Sequence, residues 1–194
     1  MVYVLAAVLG YLLGSVPVAL LVARRHGVDL YRTADGNPGA WNALEQLGGR
    51  RAWPAFVGDG LKGTLAGLAG LALASGEVGG AYVGVAGAML GHALPVFARF
   101  RGGKSVMTFV GGAFVLAPDA AAIALLLCLV VTALKRDFGP GARVGVGAFV
   151  PLQLLLHPVE EVAATGGLMC LIGLLFVVRR SGPASPDRDA APTT

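Results

Sequence analysis

The sequence has few charges and few cysteines. Only 13% of its 194 residues are charged, whereas 56% are hydrophobic and the mean hydropathy is +0.74. These proportions exclude an ordinary soluble domain and are typical of membrane proteins. The two cysteines, Cys128 and Cys170, stand alone within apolar runs, which favours neither a disulfide nor a metal site. The first apolar run is not a convincing secretory signal peptide, because it lacks a basic start and exceeds the usual length of a signal's apolar core.

Long apolar runs dominate what is present. Crossing a hydrocarbon core of about 30 Å takes about 20 helical residues, a length that four of the runs reach. We predict an all-α polytopic membrane bundle of about seven spans; five spans is the alternative if the shorter runs do not cross. The runs cover residues 2–23, 52–74, 80–98, 105–117, 119–134, 144–156 and 160–178.

Basic residues fall on one side of this topology. If the N-terminus lies outside, every Lys and Arg except Lys62 lies in a cytoplasmic connection, and Lys62 lies in the cytoplasmic part of the second span. Because basic residues favour the side where they need not cross the bilayer, the bias predicts an external N-terminus and a cytoplasmic C-terminus. The basic face and the pI near 9.4 suit anionic lipids or phosphate compounds better than nucleic acid. The cytoplasmic connections lie near residues 24–51, 99–104, 135–143 and 179–194, and the opposite turns carry only the acids Glu77, Asp119, Glu160 and Glu161.

Glycine is abundant, with 30 residues. Small residues four apart let membrane helices approach closely, so we interpret most of the glycines as packing devices. The pairs are Gly10/Gly14, Gly63/Gly67, Gly80/Gly84 and Gly87/Gly91. No repeat or second domain is evident, and residues 1–180 are predicted to form one transmembrane domain, followed by a disordered cytoplasmic tail at 181–194.

Three segments combine polar chemistry with glycine. In Asp35–Asn42, glycines flank an Asn-Pro pair and predict a compact turn with exposed N–H groups, which is either a phosphate nest or a plain interfacial turn. In Gly91–Ser105, Gly102 and Gly103 precede Lys104 at a helix start, so backbone donors and an ammonium group can meet a phosphate. This segment is not a nucleotide-binding P-loop, because the first glycine of that motif is replaced by Ala98.

Ionisable groups also occur within the spans. Asp59 and Lys62 are three residues apart and share a helix face, and His92 lies just before the glycine–lysine segment. Such groups are costly in a bilayer and usually mark function. The alternatives are that Asp59 and Lys62 form a structural ion pair and that His92 is a core imidazole. For the basic side chains of the glycine–lysine segment, in turn, the alternative is that they simply extend to the membrane interface as a structural feature.

Together these elements resemble the bacterial acyl-phosphate:glycerol-3-phosphate acyltransferases, which are small integral membrane enzymes of phospholipid synthesis. The family's Gly-Asn-x-Gly-Ala-x-Asn matches Gly36–Asn42, and its Asp-x-x-Lys-Gly matches Asp59–Gly63. Its Gly-His-x-x-Pro-Val-Phe-x-x-Phe-x-Gly-Gly-Lys matches Gly91–Lys104 without a gap, and Thr108 follows.

The resemblance implies a bundle of about seven helices that transfers a fatty acyl group from acyl phosphate to glycerol 3-phosphate and forms lysophosphatidate. No cofactor or metal is expected, and membrane lipids surround the protein. The implied location is the bacterial inner membrane, with the active site facing the cytoplasm. The candidate catalytic residues are His92, Asp35 and Asn42; the candidate substrate-binding residues are Gly36, Asn37, Gly39, Asp59, Lys62, Gly102, Gly103, Lys104 and Thr108.

Several positions depart from the family pattern. Ala34-Asp35 replaces Gly-Ser, Trp41 replaces a small Thr, and Glu45 replaces Arg. No serine occurs between Ser105 and Ser181, although the family's third motif supplies serines near Arg143–Gly147. Asp35 is therefore expected to replace the family serine in orienting the hydroxyl group.

Two other functions stay open at this point. One is a non-catalytic homologue that binds a lipid or phosphate ligand. The other is a small transporter or channel, which inverted repeats and charges near the midplane of the bilayer would favour.

The predicted topology can be tested by labelling single cysteines in sealed cells. Cysteines placed at Val78 and Glu160 are expected to react with an external reagent, and those at Gly48 and Ser185 are not. External labelling at position 48 would contradict the orientation and the cytoplasmic location of the candidate site.

Overall fold

The structure is a computed structural model, and it describes residues 1–179. Within this range it is helical and contains no β-strand, which confirms the predicted all-α fold. The predicted disordered tail at 181–194 lies outside the described residues. The helices are α1 (Val2–Gly14), α2 (Val18–Arg25), α3 (Ala40–Leu47), α4 (Gly49–Leu73), α5 (Val78–Ala93), α6 (Val106–Leu116), α7 (Pro118–Lys135), α8 (Phe138–Leu156) and α9 (Val159–Arg179).

Four segments of the described range are long and apolar enough to cross a membrane. The remaining candidates are less clear, because α6 has only 11 residues and α4 contains four charged side chains. A membrane protein is therefore evident, while the number of about seven spans stays a prediction. The four segments are Val2–Arg25, Val78–Ala98, Pro118–Lys135 and Val159–Val178.

Several predicted boundaries were wrong. The first apolar run is not one continuous helix, because Pro17 lacks an N–H and disfavours helical geometry at the residue before it. Helix α4 begins at Gly49, three residues before the start of the apolar run predicted at 52–74. Helix α8 begins at Phe138 instead of residue 144, and the Asp137 side chain accepts a hydrogen bond from the Gly139 N–H (2.9 Å) at its start.

Glycines bring the helices into backbone contact, as predicted. A Cβ atom added at Gly10 or Gly14 of α1 would collide with the α5 backbone. The same holds between α4 and α6, where a Cβ atom on Gly63 would meet the Thr108 carbonyl. These contacts require glycine and draw α1, α4, α5 and α6 together around the elements of the candidate site.

The two ends of the bundle differ in chemistry. We call the end with the α2–α3, α5–α6 and α7–α8 connections the basic end, and the end with the α4–α5, α6–α7 and α8–α9 connections the acidic end. At the acidic end, His157 joins three helices through its ring. Its Nε2 lies 2.7 Å from Asp119 Oδ1, and its Nδ1 lies 3.1 Å from Glu161 Oε2.

A buried polar cluster attaches α9 nearby. The Tyr82 hydroxyl accepts from Gln153 Nε2 (3.0 Å), donates to the Glu161 carbonyl (2.9 Å), and lies 3.0 Å from Thr165 Oγ1. Helix α9 is otherwise peripheral, since only 11% of its most apolar stretch is buried. The cluster therefore fixes the position of the last span against α5 and α8.

The contacts of His157 predict a pH dependence of stability. Its hydrogen bond with Asp119 raises the pKa of His157 above the ordinary 6.5; slight burial opposes this rise, and the Glu161 carboxylate adds to it. A raised pKa in the folded state means that the stabilisation is complete below about pH 6.5 and is lost as the pH rises through the folded-state pKa. We expect the Tm in detergent to fall between about pH 6 and pH 9 in the native protein. His157→Gln should flatten this dependence, and an equal slope in both proteins would contradict the role of the imidazolium.

Candidate functional site

The site begins at the break between α1 and α2. Val16 lies in this break, and its carbonyl oxygen accepts a hydrogen bond from Lys62 Nζ (3.1 Å) on α4. The same ammonium group lies 2.9 Å from Asp59 Oδ1, and both side chains are almost fully buried. A buried charge is tolerated only when it is paired and hydrogen-bonded. Lys62 meets this condition, because it pairs with Asp59 and also donates to the Val16 carbonyl at the helix break.

The glycine loop of the α5–α6 connection packs directly on His92. The Gly103 N–H donates to the His92 carbonyl (3.0 Å), and a Cβ atom at Gly103 would overlap the His92 imidazole. His92 Nδ1 lies 3.7 Å from Asp59 Oδ1, which links the loop to the buried pair. Because the Gly103 amide is already bonded, binding a phosphate through it would require this bond to open.

A narrow, partly open cleft lies between this loop and the break in the first span. Polar and charged groups line it together with apolar residues of the helix break. Lys62, His92 and Arg101 supply the basic groups, Asp59 adds a carboxylate, and Gly102 and Gly103 contribute backbone. This lining suits an anionic group that enters beside an apolar wall.

Asn42 organises the second loop, between α2 and α3. Its side chain is 2% exposed, and Nδ2 lies within hydrogen-bond distance of the carbonyl oxygens of Leu30 (3.0 Å), Thr33 (3.1 Å) and Asn37 (3.0 Å). Its Oδ1 accepts from the Thr33 hydroxyl (3.2 Å). The Asn42 side-chain amide therefore links several separate positions of the α2–α3 loop and stabilises its conformation.

The two loops are held together by two contacts. The Tyr31 hydroxyl donates to the Arg101 carbonyl (2.7 Å), and the Arg101 guanidinium lies 4.3 Å from the Tyr31 ring centre. Lys104 Nζ donates to Asp35 Oδ2 (2.7 Å), and it lies 4.6 Å from the ring centre of Phe176 on α9. The predicted phosphate-binding lysine is thus paired with a carboxylate that the sequence places 69 residues away.

The environment of Asp35 keeps its carboxylate ionised. Partial burial raises the pKa of Asp35, but the hydrogen bonds from Lys104 and the Asn37 N–H, together with the charge of Lys104, outweigh it and lower the pKa below its ordinary value. The ion pair with Lys104 therefore persists throughout the physiological pH range.

The predicted site residues fall into two adjoining groups. Asp59, Lys62, His92, Gly102 and Gly103 line the cleft. Beside it, Asp35, Gly36, Asn37, Gly39, Asn42 and Lys104 form or contact the paired loops. Thr108 is fully buried in α6, where its carbonyl faces Gly63, and it does not line the cleft. The functional roles of these residues stay predictions.

Two departures from the family pattern contact each other. Trp41 Nε1 donates to Glu45 Oε1 (2.8 Å), and the Trp41 ring stacks on Phe138 with 5.9 Å between ring centres. Phe56 packs edge-on against the same Phe138 ring. The carboxylate at position 45 therefore has a local partner, and the pair forms part of an aromatic contact between α3, α4 and α8.

The sequence did not identify four contributors to the site, one of which is Arg101 in the cleft lining. Tyr31 and Phe176 join loops and helices far apart in the chain, so no local pattern identifies them. Val16 contributes a backbone carbonyl; the adjacent Pro17 indicates a break in the helix at this position. Among residues 1–179, no group of three or more His, Cys, Asp or Glu side chains is arranged to hold a metal ion.

Comparison with known proteins gives consistent matches over most of the chain. The family described as glycerol-3-phosphate acyltransferase matches residues 4–182. A glycerol-3-phosphate acyltransferase of Thermus thermophilus is 42% identical over 167 residues, covering 84% of this chain and 82% of the relative. One of Rubrobacter xylanophilus is 42% identical over 156 residues, covering 80% of this chain and 77% of the relative.

Solved structures agree. A crystal structure of PlsY (YgiH), an integral membrane glycerol 3-phosphate acyltransferase in its glycerol 3-phosphate form, aligns with a TM-score of 0.74 at 29% identity and covers 92% of this chain and 88% of that chain. The lysophosphatidic acid form gives a TM-score of 0.70 at 30% identity, with the same coverage of 92% and 88%.

The hydrogen bonds of Asn42 predict a stability effect. Asn42→Ala leaves buried carbonyl groups of the α2–α3 loop without a donor, and each such loss costs roughly 1–3 kcal/mol. We expect a lower Tm and faster proteolysis between residues 29 and 39. Gln46→Ala, an exposed position one turn later on the same helix, is the control and should leave both unchanged. A native Tm with lost turnover in Asn42→Ala would instead indicate a direct role in catalysis.

Proposed function

This chain belongs to the glycerol-3-phosphate acyltransferase family, and on that basis we propose that it transfers a fatty acyl group from an acyl phosphate to glycerol 3-phosphate. The family consists of enzymes of the transferase class. In the proposed reaction the acceptor's hydroxyl oxygen forms a bond to the acyl carbon, and the bond between that carbon and the phosphate oxygen breaks. The hydroxyl proton leaves, and the products are lysophosphatidate and inorganic phosphate.

The observation that carries this proposal is the convergence of three distant segments at the basic end. The α2–α3 loop, the Asp59–Lys62 pair and the α5–α6 loop surround one cleft and one ion pair. Both substrates carry phosphate, and Lys62, Arg101 and Lys104 are the cations at this place. An acyl phosphate is already activated, so the protein needs chiefly to neutralise, align and shield the two substrates.

Individual side chains receive proposed roles within this scheme. Lys104 and the neighbouring glycine loop bind a substrate phosphate, and Lys62 and Asp59 form part of the cleft lining. His92 lines the cleft, and its imidazole is our candidate for accepting the hydroxyl proton. Asn37 Oδ1 is buried and has no hydrogen-bond partner among the described residues, so it is suited to accept from the hydroxyl group of the acceptor.

The membrane supplies the other half of the site. An acyl chain is soluble in the bilayer, whereas glycerol 3-phosphate arrives from water, so the reacting groups should meet at a membrane surface. The concentration of basic residues at this end supports a cytoplasmic active site in a bacterial plasma membrane.

A non-catalytic, phosphate-binding protein is the second candidate. The observation that favours it is the Asp35–Lys104 ion pair, which occupies the predicted phosphate-binding ammonium group in the free protein. A protein of this kind would bind phosphate or a lipid headgroup without turnover.

The proposed reaction is tested with purified protein in lipid nanodiscs. Acyl phosphate and glycerol 3-phosphate should give equal amounts of lysophosphatidate and released phosphate. Lys104→Met should lower kcat/KM for glycerol 3-phosphate by roughly tenfold to a hundredfold, since a charge-assisted contact is worth about 1.5–3 kcal/mol.

Lys135→Met is the matched control, because Lys135 is an exposed lysine at the end of α7. It should keep native kinetics. Binding of glycerol 3-phosphate without any product would favour the non-catalytic protein, and equal kinetics in both variants would remove Lys104 from the site.

A further inference from the structure

The Lys104 ammonium group is enclosed before any substrate arrives. Asp35 Oδ2 lies 2.7 Å from Nζ on one side, and the Phe176 ring centre lies 4.6 Å away on another. The Lys104 side chain is 14% exposed. A phosphate that binds this cation must therefore share it with a carboxylate or displace that carboxylate.

Asp35 is held in this position from its own loop. Its second oxygen, Oδ1, accepts a hydrogen bond from the Asn37 N–H (3.1 Å), which closes a local turn. Ala34 and Gly36, on either side of Asp35, have positive φ angles of 47° and 70°, so the backbone turns sharply at this residue. An ordinary exposed ion pair lacks such anchoring and contributes little, whereas this carboxylate stays beside Lys104.

On the premise of the proposed acyl transfer to glycerol 3-phosphate, we propose that Asp35 sets the affinity of the site for its phosphate ligand by competing with the substrate phosphate for Lys104. The carboxylate and a phosphate are both acceptors for the same ammonium group, and their like charges repel each other. The family pattern described above has serine at this position, and a neutral hydroxyl group would add no charge there. Asp35 thus raises the substrate concentration at which the site fills.

The chain contains a matched control for this carboxylate. Asp29, in the same loop, also accepts a hydrogen bond from the backbone two residues later, at Tyr31 N–H (3.1 Å). Its Oδ2 lies 3.6 Å from Arg32 Nε, so it forms an ion pair as well, but with a different cation. The change Asp29→Asn therefore reproduces the loss of charge in the same type of turn, without altering the contact of Lys104.

The first experiment measures binding, with inorganic phosphate and glycerol 3-phosphate as probes and the full-length protein in detergent. Asp35→Asn retains an oxygen for the Asn37 N–H and removes the charge, so its Kd for both probes should fall by roughly tenfold or more. Asp35→Ser should show the same direction, and Asp29→Asn should leave the Kd unchanged. In Asp35→Asn combined with Lys104→Met, the gain should disappear. An unchanged or higher Kd in both position-35 variants, with an unchanged Tm, would overturn the proposal.

The second experiment separates binding from chemistry. Competition predicts a lower KM for glycerol 3-phosphate in Asp35→Asn with kcat nearly unchanged, whereas an aspartate that orients the hydroxyl group predicts a lower kcat with unchanged KM. The latter result would refute competition. If no variant turns over, the binding series still decides the role of Asp35, and the proposed reaction alone fails. If turnover is seen but the Kd and KM do not respond to position 35, this inference alone fails.

Discussion

The hydrogen bond from Lys62 to the Val16 carbonyl is the interaction on which the candidate site depends. Within a bilayer every backbone polar group needs a partner, and at the interruption by Pro17 the Val16 carbonyl accepts from both the Val18 N–H (3.0 Å) and Lys62 Nζ (3.1 Å). Lys62 reaches this carbonyl from the next long helix, and Asp59 neutralises the charge that this introduces. The residues of the interruption, Val16, Pro17 and Val18, line the cleft beside the glycine loop.

The departures from the family pattern have two different structural meanings. Trp41 donates a hydrogen bond to Glu45 and stacks on Phe138, so both departures belong to one local contact. Asp35 instead contacts Lys104, which lies in another loop beside the cleft and is the predicted phosphate-binding lysine. The first change is therefore expected to affect packing and the second to affect ligand affinity, although both introduce a carboxylate into the same short segment.

The sequence predicts the helical fold, the one-sided basic residues and the segments that meet at the site, because each depends on local pattern or motif spacing. It does not predict α3 or the early start of α8, where glycine and charged residues mask the apolar periodicity. It also misses Tyr31 and Phe176, since their contacts with Arg101 and Lys104 arise from helix packing between remote parts of the chain. Asn42 was recognised as important, but its dense hydrogen bonding within the loop is visible only in three dimensions.

The interrupted first span has a consequence for biosynthesis. The partner of the Val16 carbonyl, Lys62, is made 46 residues later, which at about 5–20 residues per second corresponds to a delay of roughly 2–9 seconds. During that interval the Val16 carbonyl has only its local hydrogen bond from the Val18 N–H (3.0 Å), and the interrupted segment is a poor independent span. Helix α4, in turn, brings a charged pair that is best accommodated beside that carbonyl. We therefore expect the first span and α4 to enter the bilayer from the translocon as a pair, before the glycine contacts with α5 form.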